Sequence, residues 1–318
     1  SKLGVVDFAG GIVVHVSAGF SALSTVIFFG PRRKELREIE PSNLPLVAVG
    51  AGLLWFGWFG FNAGGAYAGD ALAAYAFTNT TIAGSIAMTV WLILDWHYAK
   101  RPSFSGILVG AVAGLATITP CAGYVPPWAA IVIGAVGSVV CYYAKGIQSH
   151  FKFDDALEVF RAHGMGGLTG ALLVGIFAST AINTVSAGFE QFFVQLLGVV
   201  VVGAYAFVLT WIILKIISHF GPIRVSDMET LEGLDEALHG ERAYETMDLP
   251  GDTTGKPAEA DGTPARPDRT DTEEETRAAD QPDQPKNKEQ SKPNGNKQEG
   301  DATSARAGGR GKTAPSVG

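Results

Sequence analysis

Large apolar side chains are missing from the last part of this sequence. Residues 251–318 contain no Leu, Ile, Met, Phe, Tyr or Trp, and Val317 is their only larger aliphatic residue. Such a segment cannot bury enough apolar surface to offset the loss of chain entropy, so we predict a disordered polar tail. The net charge of −7 averages this tail with a very different apolar region and therefore indicates little about partners.

Cysteine and targeting signals are also scarce. Cys121 and Cys141 are the only two cysteines, and they lie near opposite ends of one predicted membrane span. Because a disulfide needs Cα atoms within about 7 Å, we predict that these two remain free thiols. The sequence starts at Ser1 with neither Met nor a signal peptide, directly before an apolar run, so we expect it to be a fragment of a longer protein.

Apolar runs dominate residues 1–220, which we predict to form an all-α polytopic membrane domain. A helix rising about 1.5 Å per residue needs roughly 20 apolar residues to cross a bilayer. Seven runs meet that length or come close to it. They cover residues 7–29, 43–66, 70–94, 103–120, 127–147, 155–178 and 188–219.

Basic residues are absent from every second loop between these spans. Arg32, Lys100, Lys152 and Arg224 follow the first, third, fifth and seventh spans, whereas the intervening loops hold no Lys or Arg. By the positive-inside rule, the basic loops face the cytoplasm. The pattern predicts a multi-pass protein of the plasma membrane, with Ser1 outside and the tail in the cytoplasm.

Two histidines lie inside predicted spans, His15 in the first and His163 in the sixth, each with an acid upstream, at Asp7 and Glu158. An ionisable side chain within the membrane suggests a functional site. Three interpretations are open: core histidines bonded to carbonyls, two axial ligands of a haem, and a proton-handling pair in a substrate pathway. A redox protein usually brings further ligands or quinone-site polar residues, and the sequence shows neither.

An aromatic face ends the second span. Trp58 and Phe61 are three residues apart, on one side of a helix just before an outer loop. Aromatic rings there can receive a cation through their quadrupole, although an interfacial aromatic belt has the same composition.

Five short motifs resemble those of the Amt/Mep/Rh ammonium transporter family, most closely its Amt branch. They occur in that family's order and extend to about residue 247. They are Asp7-Phe-Ala-Gly-Gly-Ile-Val-Val-His15, Gly57-Trp-Phe-Gly-Phe-Asn-Ala-Gly64, Thr119-Pro-Cys-Ala-Gly-Tyr-Val125, Val159-Phe-Arg-Ala-His-Gly164, and Glu232-Gly-Leu-Asp235 followed by His239-Gly-Glu-Arg-Ala-Tyr244.

The resemblance implies a homotrimer with one pore per subunit and eleven spans, of which this sequence would hold the last seven. It implies that His15 and His163 are the twin pore histidines, that Phe61 beside Trp58 is the pore-gating phenylalanine, and that Asp7 supports the outer cation site. Eight residues, about 12 Å of helix, separate Asp7 from His15. Asp7 is therefore expected to cap the helix or stabilise that outer site rather than touch the ring.

Three positions depart from the family pattern. The acid of the second repeat is usually Asp but is assigned here to Glu158, and Arg161 stands where a small residue is common. At i, i+3 these two side chains can pair. Gly65 replaces a serine whose hydroxyl often helps to bind the outer cation, so we expect half-saturation at a higher ammonium concentration than in a Gly65→Ser variant.

The predicted function is transport of ammonium, not enzyme catalysis, with no cofactor. Ammonium entering an apolar pore unpaired faces a large desolvation penalty, whereas ammonia does not. We therefore expect ammonium to lose a proton before its nitrogen passes, and two neutral imidazoles to relay that proton. Potassium has no proton to lose and is expected to stay outside. The alternatives are an ammonium sensor signalling through its tail and an Rh-type gas channel.

Residues 221–250 form a predicted cytoplasmic regulatory segment. Gly221-Pro222 ends the seventh helix, and leucines follow among acidic residues that could meet the basic inner loops. In the family this region couples the subunits and its face binds a PII-type signal protein that blocks the pores. The regulatory residues implied by the resemblance are Gly233, Asp235, His239, Gly240 and Tyr244.

Overall fold

A computed structural model describes residues 3–33 and 41–241 of the chain, and within them all regular structure is helical. The long helices, in chain order, are α1 (Ser17–Phe29), α2 (Leu44–Ala63), α3 (Ala71–Tyr98), α4 (Phe104–Ile118), α5 (Pro127–Phe151), α6 (Met165–Phe177) and α7 (Phe189–Phe220). A short α8 (Asp227–Glu232) follows them. Four short turns complete the described part. The 3₁₀ turn Gly64–Ala66 follows α2, and of the three π-helical turns Gly11–Val16 runs into α1, Phe160–Gly164 runs into α6, and Asp235–His239 follows α8.

The starts of the helices follow from local sequence. The side chain of Asn43 accepts a hydrogen bond from the Leu46 N–H at 2.9 Å to cap α2, and Asp70 caps α3 in the same way through Ala73 at 3.1 Å. Short polar side chains at this position satisfy N–H groups that have no partner within the helix. The α7 helix ends at Phe220, directly before the predicted Gly221-Pro222 stop.

Helix lengths can be compared with the seven predicted spans. Five helical segments of the described chain are long and apolar enough to cross a membrane: Gly11–Phe29, Leu44–Ala66, Ala71–Tyr98, Pro127–Phe151 and Phe189–Phe220. The fourth predicted span contains the shorter apolar helix Phe104–Ile118, and in the sixth the π turn Phe160–Gly164 continues into α6. The apolar runs therefore located helices at all seven places, and the count of seven spans stays a prediction.

Small residues form much of the core between the helices. The α3 helix packs against α4 and α5, while α7 packs against α1 and α6. Ala83 of α3 is fully buried, and a Cβ placed on Gly134 of α5 would lie 2.5 Å from its carbonyl oxygen. In lipid, where helices gain little from apolar burial, such close approach supplies the packing energy.

The cytoplasmic regulatory segment is described only as far as residue 241, so Tyr244 and the whole of the predicted tail lie outside the described residues. Leu231, Leu234 and Leu238 are 48%, 45% and 52% exposed. These three leucine side chains are thus about half uncovered within this single chain.

The basic loop after α1 is held at two places. The guanidinium of Arg32 pairs with Asp154, with Nε 2.7 Å from one carboxylate oxygen and a second N–H 3.0 Å from the other, and this hydrogen-bonded partner raises the pKa of Arg32. Arg224 ties the cytoplasmic segment to the end of α1 by donating hydrogen bonds to the carbonyls of Phe29 and Pro31.

Candidate functional site

Both predicted pore histidines sit in π-helical turns, His15 in Gly11–Val16 and His163 in Phe160–Gly164. A π turn inside or beside an α-helix is uncommon and occurs frequently at functional sites. The two turns bring the imidazoles together, with 3.2 Å between the Nδ1 atoms. That distance is a hydrogen bond between two ring nitrogens separated by 148 positions in the sequence.

A glycine contact explains how the two turns approach so closely. Gly19 lies one turn after His15, and Gly164 directly follows His163. A Cβ placed on Gly19 would overlap the Cα and N atoms of Gly164. A Cβ on Gly164 would be 3.1 Å from the Gly19 Cα, a tight contact but not an overlap. The absence of a side chain at Gly19 is therefore what chiefly permits the 3.2 Å contact between the imidazoles.

Carboxylates hold the start of each turn. Asp7 accepts hydrogen bonds from the N–H groups of Gly10 (3.1 Å), Gly11 (2.6 Å), Ile12 (2.8 Å) and Val13 (3.2 Å). This is the helix-capping contact expected of an acid eight residues before the histidine. It satisfies four donors that have no partner within the helix.

The second acid was misassigned. Asp155, not Glu158, is the counterpart of Asp7: it precedes His163 by eight residues and accepts the N–H groups of Val159 at 3.1 Å and Phe160 at 2.8 Å. Glu158 instead lies 2.8 Å from Arg161, confirming the predicted i, i+3 pair. The matching spacing of eight residues was present in the sequence and could have identified Asp155.

The capping contacts predict unequal losses of stability. Replacing Asp7 with Ala should destabilise the protein by at least the ~0.5–2 kcal/mol typical of a lost cap, because four N–H groups lose their acceptor. Asp70→Ala is the control, since Asp70 caps α3 through one hydrogen bond at an exposed site. Thermal unfolding in detergent should give the larger fall for Asp7→Ala; equal falls would contradict the capping account.

Aromatic rings surround the histidine pair. The Trp58 ring stacks on His15, with centroids 5.1 Å apart and planes 24° apart, and Phe61 lies 5.8 Å from both Trp58 and His15. Trp58 is 5% exposed, whereas Phe61 is 40% exposed. The predicted aromatic face is therefore part of the histidine site.

Two cavities meet at His163. A cavity of about 460 Å³ is lined by His15, Trp58 and Phe61 together with apolar side chains, and His163 also lines a second one of about 1140 Å³. The larger cavity is bordered by charged side chains, among them Asp95 and Arg161. His163 thus lies between an apolar cavity and a larger one that charged side chains border.

Thr119 belongs to this site although no sequence pattern predicted it. Its fully buried hydroxyl accepts a hydrogen bond from Trp58 Nε1 at 3.0 Å and lies 3.3 Å from His15 Nε2. Thr119 was part of a recognised motif but carried no assignment, because a threonine contact across 104 positions leaves no local signal.

Gly65 also has a structural explanation. A Cβ at this position would lie 2.7 Å from the Phe8 carbonyl oxygen and 3.0 Å from its ring, so a side chain requires Phe8 to move. The sequence suggested that a Gly65→Ser variant would isolate the effect of the missing hydroxyl. Because the new side chain also displaces Phe8, it does not.

The remaining predicted residues are separate from the histidine site. Asp235 and His239 begin and end the π turn after α8, and Gly233 (φ 99°) and Gly240 (φ 66°) flank it with left-handed backbone. Both conformations favour glycine. Their regulatory role stays a prediction. The histidines and aromatic rings form one site, and these four residues lie in a separate segment.

The fold and this site define a polytopic α-helical membrane protein with a histidine pair between two cavities. Residues 1–244 match the model of the Ammonium Transporter Family, and the chain belongs to that family. An ammonium transporter of Bacillus subtilis (strain 168) is 41% identical over 253 residues, covering 77% of this chain and 62% of the relative. This chain therefore spans less than two thirds of that relative's length.

Solved structures agree with the fold. The crystal structure of Candida albicans Mep2 superimposes with a TM-score of 0.67 at 32% identity, covering 72% of this chain and 54% of that one. The structure of a protein called Sensor Amt Protein gives a TM-score of 0.69 at 31% identity, covering 74% of this chain and 61% of that one. Members of this family are named as transporters, not as enzymes.

Proposed function

We propose that the protein conducts ammonium nitrogen across the plasma membrane through a pore in each subunit, losing the ammonium proton on the way. The observation that carries the proposal is the 3.2 Å contact between the His15 and His163 Nδ1 atoms beside a 460 Å³ cavity of mostly apolar lining. Family membership and the name of the Bacillus subtilis relative support the substrate.

Solvation favours deprotonation at this place. Among the described residues that line the smaller cavity there is no carboxylate, so an ammonium ion entering it would lose its water without gaining a counter-ion. Ammonia carries no charge and avoids most of this cost. The neutral imidazoles can exchange hydrogen bonds with it, and potassium, which cannot release a proton, stays outside.

Trp58 and Phe61 narrow the approach to the pair in this proposal. Trp58 is fixed by its hydrogen bond to Thr119, while the more exposed Phe61 closes the outer side as the gate. Asp7 acts on the outer cation site through the helix start that it caps, not by direct contact with His15.

The test is uptake by the protein reconstituted in liposomes. An imposed ammonium gradient should produce nitrogen uptake that potassium at the same concentration does not inhibit. Recording current in the same vesicles distinguishes transport of net charge from passage of neutral gas. Potassium current through the pore would contradict the proposed deprotonation.

A regulated homotrimer is the second part of the proposal. The half-exposed Leu231, Leu234 and Leu238 leave an apolar face that a neighbouring subunit can cover, and a PII-type signal protein is the proposed partner of the cytoplasmic side. The alternative, a sensor signalling through its tail, depends on residues 251–318, which lie outside the described residues. The word "sensor" in the name of the structural relative applies to that protein alone.

The backbone conformation at Gly233 predicts which substitution in the cytoplasmic segment should stop transport. Gly233→Asp should inactivate transport while leaving the membrane domain folded, because φ of 99° is strained for any L side chain, at a cost of about 1–2 kcal/mol. A Cβ there meets nothing within 4 Å in the described chain, so crowding is not the cause.

Gly221→Asp is the matched control for that variant. It adds the same charge to the same segment, but the φ of Gly221 is 165°, an extended conformation that any residue adopts, and its Cβ also has open space. Uptake should survive this control. Equal inactivation by both variants would show that charge, rather than backbone strain, is responsible.

A further inference from the structure

The hydroxyl of Thr119 joins three groups at the histidine site. It donates to the carbonyl of Leu115 at 2.7 Å, accepts from Trp58 Nε1 at 3.0 Å, and lies 3.3 Å from His15 Nε2. Thr119 is fully buried, so no bulk water competes for these contacts.

Proton counting decides the direction of the contact with His15. A threonine hydroxyl has one proton and two lone pairs. The proton of Thr119 is already donated to Leu115, so the oxygen can only accept from its other neighbours. The contact with Trp58 is consistent with this role, because an indole N–H can only donate a hydrogen bond and Thr119 accepts it. His15 Nε2 must therefore carry a proton to make a favourable contact.

We propose that Thr119 is a positioning residue that fixes the tautomer of His15 and, through it, the direction of the hydrogen bond between the two histidines. A neutral imidazole protonated on Nε2 has a bare Nδ1. The 3.2 Å bond is then donated by His163 Nδ1–H to His15 Nδ1. In the reverse arrangement, a bare His15 Nε2 would face an oxygen lone pair without a proton between them.

This direction leaves one open acceptor in the pair, His163 Nε2. Within the described chain no hydrogen bond to that atom is found, and His163 lines both the 460 Å³ and the 1140 Å³ cavities. An N–H of the substrate nitrogen therefore binds at His163, whereas His15 Nε2 is closed by Thr119. The inference rests on the proposed function for its substrate but not for the tautomers themselves.

Solid-state nitrogen NMR of the protein in lipid, with ¹⁵N-labelled histidine, measures the tautomers without any transport assay. Protonated and bare ring nitrogens give separate resonances, and the pair is recognised by the correlation across its N–H···N bond. We expect the acceptor ring of that bond, protonated on Nε2, to be His15 and the donor ring, with a bare Nε2, to be His163. The His15→Asn variant, by removing one ring, assigns the two.

Substitutions at Thr119 test the cause. Thr119→Val keeps the shape of the side chain but removes the hydroxyl. The resonances of the histidine pair should then show a mixture of the two tautomers of each ring. Thr119→Ser retains the oxygen and should keep the wild-type pattern. Thr117→Val is the control, because Thr117 is equally buried and donates to Ala113 at 2.7 Å but is not hydrogen-bonded to either histidine within the described chain.

A wild-type spectrum in which His15 donates to His163 would overturn the inference, as would an unchanged pattern in Thr119→Val. If Thr119→Val fails to fold, the wild-type and Thr119→Ser spectra still decide the tautomers. A failure of the proposed transport function would be distinguishable from a failure of this inference. In that case uptake would stay normal in a variant without His163, while the wild-type spectrum would still show the tautomers proposed here.

Discussion

His163→Ala is expected to abolish selective ammonium uptake in liposomes while leaving a folded assembly. The substitution removes the imidazole that bonds to His15 and lies at the junction of the two cavities. Without it, the apolar cavity offers ammonium no group to which its proton can pass, and the desolvation penalty blocks the pore. The corresponding His15→Ala variant should have the same effect, because the pair acts as a unit.

His150→Ala is the control for this experiment, since His150 is exposed in the last turn of α5 and lines neither of the two cavities. It should transport normally. Normal uptake by His163→Ala would refute the relay, whereas joint loss of uptake and assembly would favour histidines with a core-packing role. Haem absorbance in the purified protein would revive the interpretation of the two residues as axial ligands.

Gly19→Ala is expected to inactivate the pore although it changes no polar group. A methyl group at Gly19 overlaps the backbone of Gly164, so the two turns must separate, at about 1–3 kcal/mol for overpacking. Any separation lengthens the 3.2 Å bond between His15 and His163. We expect lower thermal stability and loss of uptake together.

Gly146→Ala provides the matched comparison. Gly146 lies within α5, and a Cβ added there meets nothing within 4 Å of the described chain. This variant should be as stable as the wild type or slightly more stable, because alanine favours helix. If Gly19→Ala behaved like Gly146→Ala, the close glycine contact would not be what brings the histidines together.

The membrane segments could be located from sequence because bilayer thickness imposes a minimum apolar length that local composition reveals. The helix starts at Asn43 and Asp70 are similarly local, since a cap reaches only a few residues. Helix regularity is not local in this way. Whether an apolar run is one regular α-helix or begins with a π turn depends on packing against neighbours.

The assignment of Glu158 shows how local reasoning failed at the site. Glu158 and Asp155 lie three residues apart, and either is an acid upstream of His163. The spacing of eight residues to the histidine favours Asp155, and the path of the backbone shows why: Glu158 takes a φ of 58° and turns toward Arg161, whereas Asp155 faces the free N–H groups of the next turn.

By itself, the sequence determined that this is a helical membrane protein, that His15 and His163 are its unusual intramembrane groups, and that the motifs are those of ammonium transporters. All of these depend on residue type and spacing along the chain. The tertiary structure alone decided that the rings meet at 3.2 Å, that Gly19 and Gly164 permit it, and that Thr119 lies 3.3 Å from His15. Those contacts join residues more than 100 positions apart, where only packing in three dimensions sets the distance.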